Sequence, residues 1–172
     1  QPIPAPAVAA AQSSPFLNLA QMSGLLENAG IRLSKPVEKV AEVSGADFAA
    51  FRWQTGPAFG SAEQRPIPNV SEFGNYIDTY ISKTKARCQG DFAASPTVTQ
   101  GQGSDQVSSY EIACVGGDAA SSAAIVFFVR NNMFTVIAHE AGTDAMDVAM
   151  EDRDRLLSVL SSGAAVATFA AR

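Results

Sequence analysis

Apolar positions are densest between Ala123 and His139. Ala123 to Val129 is a run of small, β-branched and aromatic residues, Asn131-Asn132 is a two-residue turn signal, and Met133 to His139 is a second apolar run. That order predicts a β-hairpin. Ile125, Phe127 and Val129 alternate with Val126 and Phe128, so both faces of the first strand are apolar. Strands of this kind are central and covered on both sides. The pattern therefore predicts helices on both faces of an antiparallel sheet, or one face left for a partner.

Three segments carry helical spacing instead. Leu19, Met22, Leu26 and Ala29 recur on one face, with Ser14-Pro15 as the expected start and Gly30 as the stop. Phe73, Ile77, Tyr80 and Thr84 form the face of a second helix. Asn69 followed by Glu72 supplies its capping box, and Lys83, Lys85 and Arg87 sit in its last turn, where the helix dipole favours cations. Thr143-Asp144 opens a third helix with Met146, Met150, Leu157 and Leu160 on the inward stripe and Gly163 as its end.

Phe48 to Trp53, after the turn residues Ser44 to Asp47, reads as a strand, as do a segment near Phe92 and Tyr110 to Val115. Ile31 to Val43, interrupted by Pro36, fits no single period. The glycines and prolines from Gly56 to Pro68 predict a long connection, and the polar stretch Gln100 to Gln106 an exposed loop. The fold class expected is α+β, an antiparallel β-sheet flanked by helices in an α/β/α sandwich. It comprises an extended Pro/Ala-rich N-terminal arm over residues 1–13, one domain over 14–163, and a C-terminal tail over 164–172 that is apolar enough to dock.

Composition narrows the function. The 172 residues are 47% hydrophobic and 17% charged, enough for a packed core. A net charge of −5 argues against a general nucleic-acid binder. No apolar run approaches the roughly 18 residues of a membrane helix. The opening QPIPAPAVAAAQSSP resembles the small-residue segment left after an export signal is removed, which points to the bacterial periplasm. Cys88, after the second helix, and Cys114, in a strand, are the only cysteines, and export favours a disulfide between them.

Candidate chemistry is sparse. Two cysteines and one histidine without a Cys-x-x-Cys are too few for a structural zinc site, so no metal and no cofactor are expected. Gly101-Gln102-Gly103 lacks the third glycine of a dinucleotide fingerprint, and phosphate-loop and Gly-x-Ser-x-Gly motifs do not occur. His139 is the sole histidine. It fits a general base partnered by Glu140 or Asp144 in a small hydrolase, or a strand-end residue capping the next turn. His139 and Glu140, as neighbours on a strand, point to opposite faces. Asp144, Asp147 and Glu151, with Asp152 and Asp154 nearby, read as a solvated helix face or an acidic docking surface, without the calcium-loop pattern. Phe51, Arg52, Trp53 and Phe59 are either core beneath a loop or anchors of a protein interface.

The plan from about Asp47 to Leu160, including the helix that begins at Asn69 and the Asn131-Asn132 hairpin, resembles the α/β/α sandwich of the Mog1/PsbP-like group. The resemblance implies an architecture and a binding or accessory role, and it carries no functional residue. In size, in its N-terminal Gln1 and in lacking cofactor ligands, the chain also looks similar to the small accessory subunit of membrane-bound quinohaemoprotein alcohol dehydrogenases. The expected function is a non-catalytic accessory subunit of a larger envelope complex. A His139 hydrolase and a small-ligand-binding domain, with its site between sheet and helices, are the alternatives.

Overall fold

The computed structural model describes residues 16–40, 48–102, 105–116 and 120–161. The arm, the Ser14-Pro15 helix start, the Ser44 to Asp47 turn, Gly163 and the tail fall outside them. Helix α1 (Leu19–Asn28) precedes strands β1 (Lys35–Lys39), β2 (Ala49–Thr55) and β3 (Ala58–Pro66). A short 3₁₀ turn (Val70–Glu72) leads into α2 (Phe73–Arg87). Strands β4 (Asp91–Gln102), β5 (Asp105–Val115), β6 (Ser121–Arg130) and β7 (Met133–Ala141) follow, then α3 (Met146–Ser161). The strands form one antiparallel sheet in the order β1-β2-β3-β7-β6-β5-β4. The chain builds β1 to β3 as a meander, crosses one face through α2, and builds β4 to β7 back towards β3.

The β6–β7 hairpin matches its sequence pattern. Asn131 and Asn132 take φ of 50° and 56°, the left-handed conformation that asparagine tolerates better than most residues. Val126 and Phe128 pack on the α1/α3 side, and Ile125, Phe127 and Val129 on the α2 side. The sandwich follows from that double burial. Of the edge strands, β1 carries Lys35, Pro36, Glu38 and Lys39, while β4 is bulged between Pro96 and Val98. Prolines, charges and bulges of this kind deter pairing with another chain.

The structure moves several boundaries. Helix α1 starts from Asn18, whose side chain accepts from the Gln21 amide while Gln21 reaches back to the Asn18 amide, a full capping box. Gly30, at φ 75°, ends it as expected. The Asn69 side chain accepts from the Ser71 amide, but Glu72 binds Asn75 rather than closing the box. The inward stripe of α3 is Ala149, Asp152, Arg153, Leu156 and Leu160, and Met146, Met150 and Leu157 are only half-buried. Two buried polar residues inside the stripe displaced the apolar reading.

The expected long connection from Gly56 to Pro68 is mostly strand β3. Only Gly56 and Pro57 turn the chain, Gly56 at φ 58°. The inward positions of β3 are Ala58, Gly60, Ala62 and Gln64. Small or polar residues there erase the alternation that would have betrayed a strand. Similarly, the expected loop at Gln100 to Gln106 is largely the far end of the β4–β5 hairpin, with Gln102 opposite Asp105.

Candidate functional site

Beneath α1 and α3, residues Trp53, Gly60 and His139 lie in one cross-strand row of β2, β3 and β7. The Trp53 indole crosses Gly60, where a Cβ would stand 1.9 Å from Trp53 Nε1, so only glycine fits. The indole N–H donates to His139 Nε2 at 3.1 Å, and the rings meet edge-on with centroids 5.5 Å apart. Nε2 is thereby the acceptor, which places the proton of the neutral ring on Nδ1, a buried atom without a hydrogen-bond partner. Asp152 Oδ2 lies 3.8 Å from Nε2 but takes its hydrogen bond from Thr55 Oγ1 at 2.7 Å.

Burial sets the electrostatics of this cluster. His139 is 0% exposed, and burial pushes its pKa down to about 4. The Asp152 carboxyl is pushed up by burial, against the opposing Thr55 hydrogen bond. Arg153 is pulled down by burial but held above its ordinary value by hydrogen bonds to Glu111 (2.8 Å) and Asp154 (3.0 Å). His139 caps no turn; it is a core residue bonded to Trp53. Glu140 lies exposed on the opposite face and Asp144 is exposed in the turn before α3, so the hydrolase constellation is not assembled. Among the described residues no group of His, Cys, Asp and Glu is placed to hold a metal ion. Of the acidic positions on α3, Glu151 binds Arg155 and Asp152 is buried.

The four candidate interface residues separate by face. Phe51 and Trp53 are core residues. Arg52 and Phe59 point to the other side, where Arg52 pairs with exposed Glu38 at 3.1 Å and Phe59 is 62% exposed. Among the described residues only half of that side is covered. Helix α2 lays Phe73 and Ile77, with Tyr76, Tyr80 and Ile81, over β4 to β7. The corresponding face of β2 and β3 presents Arg52, Gln54, Phe59, Ser61 and Glu63, each exposed or half-buried.

At the border between the covered and open halves runs a groove of about 330 Å³, lined by Glu63 and Arg65 of β3, Phe134 and Val136 of β7, and Tyr76, Thr79, Tyr80, Lys83 and Arg87 of α2. Glu63 and Arg65 pair at 3.5 Å, and Arg65 lies 6.0 Å from the centroid of the Phe48 ring. The Tyr80 phenol is pushed up to about 12, first by burial and then by Glu63. Sequence reasoning missed this groove. In the sequence Lys83 and Arg87 fit the helix dipole, Tyr80 fits the apolar helix face, and Glu63 and Arg65 fall in the stretch whose glycines and prolines predict a connection. The helical spacing of Tyr76, Tyr80, Lys83 and Arg87 was the available signal.

The end of α2 is fixed covalently. Cys88 caps the helix and is bonded to Cys114 of β5 across a Cα separation of 5.7 Å. A disulfide fits an oxidising compartment. No described helix is long and apolar enough to cross a membrane.

Comparison with known proteins finds no matching family model and no matching curated protein. Among solved structures, the chain is similar to LpqN, involved in cell envelope biogenesis of Mycobacterium tuberculosis, at 12% identity and a TM-score of 0.42, covering 73% of this chain and 78% of that one. A Pseudomonas aeruginosa protein of unknown function matches at 9% identity and a TM-score of 0.36, covering 67% and 74%. A hypothetical protein from Helicobacter pylori matches at 11% identity and a TM-score of 0.29, covering 85% and 80%. None of these likenesses extends to an activity or a site.

Proposed function

We propose that this chain is a non-catalytic accessory domain that docks onto a larger protein of a bacterial cell envelope through the open half of its sheet. One observation carries the reading. Among the described residues nothing covers the outer face of β2 and β3, where Phe59 is 62% exposed beside Arg52, Gln54 and Ser61. An exposed aromatic ringed by polar groups is the usual anatomy of an interface anchor and its rim. The Cys88–Cys114 bond supports an exported location. Sealing of His139 in the core favours this reading over the hydrolase alternative. A membrane-bound quinohaemoprotein alcohol dehydrogenase is the specific partner we put first, on the resemblance to its small accessory subunit given above.

The test is co-purification from native membranes of the intact chain beside the Phe59→Ser and Arg52→Glu variants. The proposal expects one larger envelope protein to travel with the parent chain and to be lost from both variants. Equal recovery with all three chains removes the docking surface.

A further inference from the structure

We propose that the groove between α2 and strands β3 and β7 binds a small organic acid with a flat apolar body, its carboxylate held by Lys83 and Arg87 and its body laid against Tyr76, Tyr80 and Phe134. This inference is independent of the docking surface above. A volume of about 330 Å³ falls at the lower end of small-molecule sites, which run from roughly 300 to 1,000 Å³. The occupant is therefore of one-ring size.

The walls divide by chemistry. The Tyr76 and Phe134 rings meet edge-on with centroids 5.2 Å apart, and Val136 continues the apolar floor. Lys83 and Arg87 are four residues apart on α2 and so project from the same helix face. Three cations, Arg65, Lys83 and Arg87, line the groove with one carboxylate, Glu63, and Glu140 of β7 lies near enough to act on Tyr80, so positive charge is still in excess there in a chain whose net charge is −5. Arg65 is answered by Glu63. Lys83 has no ion pair among the described residues, and Arg87 spends only its Nε, which donates to the Lys83 carbonyl at 3.3 Å. The rest of that guanidinium is left for a carboxylate, which it suits geometrically. A neutral ring would forgo both cations, and an amine would be repelled by them. The disulfide at Cys88, next to Arg87, fixes this end of the helix, so little ordering is left for the ligand to supply.

The decisive experiment is an NMR titration of the isotopically labelled, disulfide-intact chain with phenylacetate, benzyl alcohol, benzylamine and inorganic phosphate in turn. Phenylacetate is expected to bind saturably and to shift amides of residues 76–87 and 63–65. Benzyl alcohol and phosphate should each bind about tenfold more weakly, and benzylamine more weakly still. The Lys83→Gln/Arg87→Gln double variant alters two exposed side chains. It should keep the parent spectrum, lose about tenfold in phenylacetate affinity and leave benzyl alcohol unchanged. No saturable shift at the groove, shifts centred elsewhere, or equal binding of phenylacetate with its neutral, cationic or purely inorganic counterparts would each overturn the assignment.

Discussion

On the α1/α3 side of the sheet, Met22, Leu25 and Leu26 of one helix and Leu156 and Leu160 of the other are buried against Phe51, Trp53, Ala62, Val126 and Ile137. Polar groups admitted to that layer are mostly matched. Gln64 donates to Thr135 and accepts from the Leu17 amide, Thr55 donates to Asp152, and Trp53 donates to His139. On the opposite side α2 buries only Phe73 and Ile77 fully, and a disulfide at its end supplements the packing. One face is closed by area, the other is half-closed and pinned. On that side a covalent tie at Cys88 supplements a helix that buries few side chains fully.

The sharpest way to break this contrast is Trp53→Ala. It opens a cavity on the closed side and leaves the His139 acceptor without its donor, at an expected cost of about 4 kcal/mol, read from the denaturant midpoint. A loss below about 1 kcal/mol would show that this side is not closed by packing. Next comes Cys88→Ala/Cys114→Ala. The bond spans 26 residues, and freeing a loop of that size should cost about 3.5 kcal/mol in the chain-entropy model. Hydrogen exchange should rise first in α2, whereas uniform protection loss would mean that the pin serves the whole fold rather than one helix.

The third expected effect concerns pH. His139 has a folded pKa of about 4 against 6.5 in the unfolded chain, so it contributes stability above pH 6.5 that disappears as pH falls towards 4. The full span is worth about 3 kcal/mol. Asp152, pushed up by burial, works in the opposite sense, because its cost is relieved as pH falls. The His139 share is therefore read as a difference. His139→Gln, which retains an acceptor for Trp53, should flatten the stability profile between pH 6.5 and 4, and an unaltered slope would refute the neutral buried imidazole. The smallest effect belongs to the open half. Phe59→Ser should change stability by less than about 0.5 kcal/mol, since the ring is mostly in water already. A larger loss would place Phe59 in the fold's own packing and close the contrast from the other side.

Legibility in the sequence followed the same division. The β6–β7 hairpin was readable, with its turn in place and the strands running about two residues further at their outer ends, because most positions are apolar for their own layer and the asparagines carry the turn. Strand β3 was not, because Ala58, Gly60 and Ala62 are small for a reason that lies in β2 and the α layer: the Trp53 ring fills the space over Gly60. Helix α3 was located, but its stripe was misread, since Asp152 and Arg153 are buried only by virtue of Thr55 and Glu111, 97 and 42 residues away in the chain. Of the candidate site, Phe59 and Arg52 were named, whereas the groove needed α2 placed beside β3 before its lining residues could be seen together.

Periodicity, turn chemistry and the cysteine count thus determined the class of fold and the chain's double-faced central strands, because those properties depend on neighbours within one element. Which side chains share a row, which half of the sheet stays in water, and where positive charge collects on an acidic chain were decided by strand order and by the path of α2. These are distances between residues far apart in the chain, and no local pattern encodes them.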